Sequence, residues 1–289
     1  MSKYENVIVF GSVTLTHKIA VLMSALRAGV TVFEKCDPRK KTTVCALCSS
    51  SGIAYQSAEF SGELTELLLD RAGGPLLVIS AVNRYIFPAA TVSHPNIAII
   101  NYHNSKLPAH AGMHAEAWQI YEQDTEGGVT WHFVNEGVDA GDIIVQRAIP
   151  LDSSITSLRL LKLQNDLAYD LFSGFAGELL KGGVTGTVQS GAPRGAAHLA
   201  KDVPNDGLLD LSWSFEKTSA FLRAMDYGLL RTLGDGRIAY NGGVFKWSGY
   251  ELGAGNADLR EASALIDGND IILHKPGGDV ALKNIRKEK

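Results

Sequence analysis

The stretch Ile99-Ile100-Asn101-Tyr102-His103-Asn104-Ser105-Lys106-Leu107-Pro108 decides the fold assignment, because it leads an apolar strand directly into a polar end. The isoleucines predict a buried strand, and Pro108 ends it because proline cannot donate to a sheet ladder. Asn101 and His103 are two residues apart, so their side chains point to the same side of an extended strand. The stretch therefore predicts a strand whose carboxyl end presents an amide and an imidazole together.

Apolar strands and amphipathic helices alternate along the chain on both sides of this stretch. The sequence predicts strands over residues 6–10, 30–33, 52–55, 75–79, 128–134 and 142–147, and helices over 19–26, 44–50, 63–72, 115–121 and 157–180. This alternation predicts an α/β fold with a mostly parallel, helix-covered sheet. Ligands of such sheets bind beyond the carboxyl ends of the strands, which is where Asn101 and His103 fall.

The composition changes to Gly, Ser, Thr and Pro after residue 182, which is typical of a linker or an exposed hairpin. We expect a catalytic domain over residues 1–183, a linker over 184–205 and a C-terminal region over 206–289. In that region one predicted helix, 215–227, precedes short strands separated by glycine-rich turns. A small β-rich domain is expected there.

The charge balance argues against a nucleic-acid partner. The 289 residues carry 27 Lys and Arg against 31 Asp and Glu, a formal net charge of -4, whereas phosphate binding relies on clustered cations. One basic run, Arg39-Lys40-Lys41, is either a solvated loop or a contact for an acidic ligand. The N-terminal residues lack an apolar signal region and no run of about eighteen apolar residues occurs, so we expect no membrane association and a cytoplasmic protein.

Two other motifs are weaker candidates for functional sites. Cys45 and Cys48 have Cys-x-x-Cys spacing, but no second pair or nearby histidine completes a zinc site, so with Cys36 they are interpreted as reduced structural thiols and no metal is expected. Gly11-Ser12-Val13 follows the first strand, yet it lacks the Gly-x-Gly-x-x-Gly pattern of dinucleotide sites. A nicotinamide-dependent oxidoreductase therefore remains a weak alternative.

A second polar loop, Gly137-Val138-Asp139-Ala140-Gly141-Asp142, supplies a carboxylate. In acyl transfer to an amine, the Asn101 amide can donate to a developing oxyanion, and His103 can relay a proton. Asp139 can orient His103 and collect the proton from the amine. Alternatively, Asn101 caps a turn, His103 is a core imidazole and Asp139 belongs to an Asx-turn.

These motifs resemble the signature of the 10-formyltetrahydrofolate-dependent formyltransferases. The resemblance rests on Asn101-x-His103-x-Ser105-x-Leu107-Pro108, Gly112, Gly128-Val129-Thr130 and the run from Glu136 to Ile144. It implies a Rossmann-like formyltransferase sheet, an enzyme that moves a formyl group to an amine, 10-formyltetrahydrofolate as co-substrate, and catalytic roles for Asn101, His103 and Asp139.

The resemblance also implies two sets of binding residues. The folate pocket corresponds to Val82, Asn83, Arg84, Tyr85, Ile86, Phe87, Leu107, Gly137, Val138 and Asp142. Acceptor binding is expected at Ser105, Met113 and His114. Trp118, Trp131 and His132 could also line the acceptor side, with core packing the favoured interpretation for the two tryptophans.

The acceptor amine is the most open part of the assignment. Residues 109–118 carry aromatic and histidine side chains where tRNA-directed members are more basic, and they are similar to formylation domains of nonribosomal peptide synthetases. We expect a small-molecule or carrier-protein-tethered amine, such as an amino acid or aminoacyl group in natural-product biosynthesis. A nucleotide-linked amino sugar is the alternative. Methionyl-tRNA and a non-catalytic folate-binding module are less favoured, and the oligomeric state stays open.

Overall fold

The computed structural model describes residues 2–190, 197–255 and 259–288. The chain forms two compact units, which we call the sheet unit and the C-terminal unit. The sheet unit comprises Met1–Gly112, Gly128–Ile149 and Leu163–Ala197, and the C-terminal unit comprises Met113–Gly127, Pro150–Lys162 and His198–Lys289.

Strands and helices alternate through the first part of the chain, as the hydrophobic pattern predicts. The strands are β1 (Asn6–Phe10), β2 (Gly29–Lys35), β3 (Ala54–Ala58), β4 (Leu76–Ser80), β5 (Ile97–His103), β6 (Glu126–Phe133) and β7 (Ile143–Pro150). The helices are α1 (Thr14–Ala25), α2 (Thr43–Ser51), α3 (Ser61–Asp70), α4 (Ala89–Val92), α5 (Ala115–Tyr121) and α6 (Ser157–Lys181). The bounds of the predicted strands shift by up to three residues, while their order is kept.

The sheet has the strand order β3-β2-β1-β4-β5-β6-β7. Strands β1 to β5 pair in parallel, and β6 pairs antiparallel to β5. All five residues of β4 are buried, as expected of a central strand covered on both faces. The predicted mostly parallel, Rossmann-like sheet is confirmed, and its central strands carry their carboxyl ends to one edge.

Each face of the sheet has its own apolar core. One cluster includes Trp131 and Phe172 of α6, and the other includes Phe10 and Phe33 together with α3. Trp131 is fully buried, and its indole N–H donates to the carbonyl oxygen of Ala168 at 2.9 Å. This burial agrees with the core-packing interpretation of Trp131.

The C-terminal unit contains helix α7 and two four-stranded sheets. Its elements are β8 (Leu208–Leu209), α7 (Phe215–Met225), β9 (Arg237–Tyr240), β10 (Gly243–Lys246), β11 (Gly249–Gly253), β12 (Ser263–Asp267), β13 (Asp270–Lys275), β14 (Gly278–Lys283) and β15 (Arg286–Lys287). The sheet orders are β15-β10-β9-β8 and β11-β14-β13-β12, so the β-rich prediction for this region is confirmed. Within the described ranges, no helix has the length and apolar character needed to cross a bilayer.

The C-terminal unit includes two segments that the sequence analysis placed within residues 1–183. Helix α5 belongs to it because it packs against α7. The Tyr227 hydroxyl donates to the Glu116 carboxylate, and the Lys217 ammonium donates to the Tyr121 carbonyl oxygen at 2.7 Å. Such long-range pairing leaves no local sequence signal.

The predicted linker 184–205 includes residues 191–196, which lie outside the described residues. Before that gap, Thr187 pairs with Ile143 of the sheet unit in an antiparallel bridge.

The Cys-x-x-Cys pair lies in helix α2, where the N–H of Cys45 donates to the Thr42 hydroxyl oxygen at 3.0 Å. Cys36, Cys45 and Cys48 are free thiols, and burial, together with Cys45 and Glu34 nearby, raises the pKa of Cys48 to about 11, which suits an unreactive thiol.

The turn between β1 and α1 tolerates only glycine at position 11. A methyl carbon at Gly11 would lie 2.1 Å from the Ala81 carbonyl oxygen. Gly11→Ala is therefore expected to lower the free energy of unfolding by about 1–3 kcal/mol, the usual cost of overpacking. Gly74→Ala, an exposed glycine with no atom within 4 Å of the added carbon, should stay within about 0.5 kcal/mol of wild type in the same urea titration. Equal stability of the two variants would contradict this account of the turn.

Candidate active site

Asn101 lies near the carboxyl end of β5, where neighbouring residues fix the orientation of its amide. It is in register with Ser80, whose hydroxyl donates to Asn101 Oδ1 at 2.5 Å, and the Asn83 amide donates to Ser80 Oγ. Because Oδ1 accepts from Ser80, the NH₂ group turns the other way. Asn101 Nδ2 lies 3.1 Å from His132 Nε2 and 3.3 Å from Asp139 Oδ1.

His103 is buried, and both of its ring nitrogens face oxygen acceptors. Nε2 lies 2.9 Å from the His110 carbonyl oxygen, and Nδ1 lies 3.3 Å from Asp139 Oδ2. Only the imidazolium form donates from both nitrogens, since a neutral ring directs one lone pair at an acceptor. The arrangement therefore favours the form of His103 that donates from both nitrogens, paired with the Asp139 carboxylate.

His132 is a second buried histidine in this cluster. Its Nδ1 donates to the Phe133 carbonyl oxygen at 2.7 Å, while Nε2 lies 3.5 Å from Asp139 Oδ1. Nε2 also lies 3.1 Å from Asn101 Nδ2, so His132 contacts both the amide and the carboxylate of the site.

Asp139 brings the cluster together. Burial raises the pKa of its carboxyl group, but the His103 ring, the hydrogen bond with His132 and the Gly112 N–H outweigh burial, and the pKa lies below its ordinary range. The Gly112 N–H donates to Asp139 Oδ2 at 2.8 Å. The carboxylate is therefore ionised at neutral pH and can hold a proton carrier in place.

The loop that carries Asp139 is tightly enclosed. A methyl carbon at Gly141 would lie 1.8 Å from the Phe133 carbonyl oxygen, so only glycine fits there. On the other side, Gln189 Nε2 donates to the backbone carbonyl oxygens of Asp139 and Gly141 at 2.7 and 2.8 Å. Sequence reasoning missed Ser80 and Gln189 as members of this site. The strand-end position of Ser80 was an available signal, whereas Gln189 left none.

The loop predicted to bind folate alternates between buried and exposed side chains. Tyr85 is buried and stacks on Phe10 at 5.2 Å, and Phe87 packs edge-on against Tyr85. Ile86 between them is 87% exposed, and Val138 on the Asp139 loop is 65% exposed. Ile86 and Val138 can thus offer apolar side chains to a ligand, whereas Tyr85 can reach one only through its backbone.

The remaining predicted folate residues differ in how much of each side chain is accessible. Arg84, Gly137 and Asp142 are exposed, Val82 and Asn83 are half-buried, and Leu107 is buried. The backbone of Val82 is left-handed, with φ of 59°. Leu107 contributes its carbonyl oxygen to Gln146 Nε2 at 2.9 Å, so this residue shapes the site through its backbone.

The three predicted acceptor residues are divided between the two units. Ser105 is fully buried and its hydroxyl donates to the Ala109 carbonyl oxygen at 2.5 Å, so its side chain supports the turn after β5. Met113 and His114 belong to the C-terminal unit, immediately before α5. Met113 is 39% exposed and His114 has left-handed backbone, with φ of 59°.

The sequence of this chain is similar to sequences of known proteins. The sequence model of a family described as Formyl transferase matches residues 14–173. A GDP-perosamine N-formyltransferase of Brucella melitensis is 29% identical over 151 residues, 52% of this chain and 57% of that protein. A methionyl-tRNA formyltransferase of Synechococcus is 32% identical over 133 residues, 46% of this chain and 41% of that protein. The chain thus matches about half the length of these curated relatives.

The fold is also similar to that of a solved structure. The N-formyltransferase from Helicobacter canadensis, in complex with folinic acid and dTDP-3-aminofucose, superimposes with a TM-score of 0.74. The superposition covers 99% of this chain and 100% of that chain at 14% sequence identity, so it supports the fold alone.

Asp139→Asn is expected to lower the free energy of unfolding by about 1.5–3 kcal/mol at neutral pH, the range for hydrogen bonds to a charged group. Because the folded-state pKa is depressed, the contribution of Asp139 is fully present above the unfolded value, about 3.9, and is lost as pH falls through the folded value. Urea unfolding of both proteins should therefore show a difference that begins to shrink as pH falls below about 4 and continues to shrink at lower pH. The exposed Asp166→Asn serves as control, and the same shrinkage there would contradict the assignment.

Proposed function

The chain belongs to the formyl transferase family, and from this premise we propose that it transfers a formyl group from 10-formyltetrahydrofolate to the primary amine of a small molecule. The observation that carries the proposal is the contact of Asn101, His103 and Asp139 at the carboxyl edge of the sheet. An amide donor, an imidazole and a largely buried carboxylate are the groups that acyl transfer to an amine requires.

Each of these side chains has a distinct task in the proposed reaction. The donor supplies an electrophilic formyl carbon, to which the amine nitrogen bonds while the bond to the donor nitrogen breaks. Asn101 Nδ2, oriented by Ser80, donates to the formyl oxygen as negative charge develops there. His103 gives its proton to the departing nitrogen and recovers one from the attacking amine. Asp139 keeps His103 oriented throughout and stabilises the imidazolium form that exists before the first transfer and after the second.

The loops beside Asn101 fit a flat, aromatic co-substrate. Exposed Ile86 and Val138 offer apolar contacts from two loops of the sheet unit. The left-handed backbone at Val82 redirects the chain after β4, and the loop 82–87 then presents the exposed side chain of Ile86. These features support 10-formyltetrahydrofolate as the co-substrate, with binding by the loop 82–87 and by residues around Asp139.

We assign a nucleotide-linked amino sugar as the acceptor class. The curated Brucella relative is a GDP-perosamine N-formyltransferase, and the similar Helicobacter structure contains dTDP-3-aminofucose. This reverses the order of the sequence analysis, in which an amino acid or carrier-tethered aminoacyl group came first. The net charge of -4 argues against tRNA, although a methionyl-tRNA formyltransferase is among the relatives.

The catalytic assignment predicts large losses of activity in folded variants. His103→Ala and Asp139→Asn should each lower kcat by about 100- to 10,000-fold, because proton transfer is lost, and Asn101→Ala by about 100- to 1,000-fold. His94→Ala is the matched control, since this half-buried histidine precedes the opposite end of β5. Formyl-transfer rates and circular dichroism would be measured together, and near-normal turnover of a folded His103 or Asp139 variant refutes these catalytic roles.

The acceptor assignment predicts a clear ranking in direct competition. With 10-formyltetrahydrofolate as donor, a nucleotide-linked amino sugar should be formylated, while an aminoacyl carrier-protein thioester and charged methionyl-tRNA should not. The salt dependence of the rate identifies a tRNA acceptor, because the affinity of binding through several phosphates falls by orders of magnitude between about 50 and 200 mM salt. Salt-sensitive formylation of methionyl-tRNA, or exclusive turnover of the thioester, would overturn the acceptor class and leave the reaction class standing.

A further inference from the structure

Gln189 contacts the Asp139 loop from a segment distant in sequence. Its Nε2 donates to two backbone carbonyl oxygens, those of Asp139 at 2.7 Å and Gly141 at 2.8 Å. A carboxamide carries two N–H donors, so both bonds can form at once. These bonds span about fifty residues of chain and tie the Asp139 backbone to the segment that follows α6.

The Asp139 backbone needs such a support. Asp139 has φ of 48°, in the left-handed region that is unfavourable for a residue with a side chain. This conformation persists only if surrounding bonds hold it. The carboxylate reaches His103 and the Gly112 N–H from that backbone position. A loop free to relax would carry the carboxylate away from both groups.

The segment that bears Gln189 is itself fixed against β7. We call residues 186–189 the strap. Thr187 and Ile143 exchange two backbone hydrogen bonds, each 2.8 Å long. At Gly186 an added methyl carbon would lie 2.5 Å from Asp142 Cβ, so the strap passes too close for any larger residue. The strap is therefore a rigid platform from which Gln189 reaches the loop.

We propose that Gln189 is a positioning residue, which holds the backbone of Asp139 so that its carboxylate meets His103 and the Gly112 N–H. The kinetic part of this inference rests on the proposed formyl transfer, while the structural part does not. Gln189 binds the loop backbone and takes no part in proton transfer itself. The motifs that carry the family resemblance do not include Gln189, which lies in the segment predicted as a linker.

The Gly112 amide reports directly on the position of Asp139. Its N–H is held by Asp139 Oδ2 at 2.8 Å, so displacement of the carboxylate exposes it to exchange with solvent. Gln189→Met keeps the length of the side chain and removes both donors. Gln189→Glu keeps the shape and directs an acceptor at two carbonyl oxygens. Val188→Ala is the matched control, since Val188 is the neighbouring strap residue and is 74% exposed.

The test combines amide hydrogen exchange of glycine-labelled full-length protein, measured by NMR, with steady-state formyl-transfer kinetics. In Gln189→Met we expect amide exchange at Gly112 to be roughly tenfold faster than in wild type, which is the size of effect expected from loss of the two Gln189 hydrogen bonds. We expect kcat to fall roughly tenfold, because the displaced carboxylate no longer holds His103 in place. Gln189→Glu should show both effects more strongly, and Val188→Ala neither.

Three outcomes decide the proposal. Unchanged protection of Gly112 in a folded Gln189→Met or Gln189→Glu protein overturns it. Faster exchange with unchanged kcat also overturns it, because the held position would then be irrelevant to the reaction. If wild type formylates no amine at all, the proposed function fails, and the exchange at Gly112 still decides whether Gln189 holds Asp139. Unfolding midpoints of all variants distinguish a local loosening from general destabilisation.

Discussion

The largely buried carboxylate of Asp139 is the constraint on which the site depends. An ionised carboxylate removed from water is strongly destabilised unless it is paired and hydrogen-bonded. Its partners come from different parts of the sheet unit, namely His103 and Asn101 on β5, His132 on β6 and the Gly112 N–H in the turn that follows β5. One carboxylate thus links two strands and two loops, and its low pKa records how completely they compensate for burial.

This constraint explains the small residues around the site. The Asp139 loop must approach β6 closely enough for its carboxylate to reach side chains on β5 and β6, and Gly141 permits that approach beside the Phe133 carbonyl oxygen. The Phe133 N–H donates in turn to the Asp142 carbonyl oxygen at 2.9 Å. Glycine here provides clearance, since a larger residue would push the loop away from the strands. Backbone packing consequently helps to set the position of Asp139, in addition to the hydrogen bonds of its side chain.

The sequence predicts the parts of the site that obey a local rule. The two-residue spacing of Asn101 and His103 follows from strand periodicity, and both lie on β5 as expected. The family resemblance supplied Asp139, which the structure places 3.3 Å from His103. The parts of the structure that depend on distant contacts were not predictable. No sequence motif marks Gln189, and the packing of α5 on α7 joins segments about a hundred residues apart.

Carbonyl oxygens in the irregular loops of the sheet unit lack the regular partners of a helix or strand, and side-chain amides donate to several of them instead. Three glutamines of the sheet unit act in this way. Gln164 donates to the carbonyl oxygens of Asn104 and Gly128, Gln146 to that of Leu107 and to the Thr130 hydroxyl, and Gln189 to those of Asp139 and Gly141. Gln164 and Gln146 hold the turn after β5, and Gln189 holds the loop before β7. Because a buried carbonyl oxygen without a donor is costly, each glutamine stabilises one particular loop conformation. The site is therefore ordered in part by residues outside the proposed catalytic groups, and a motif of those groups alone cannot contain that information.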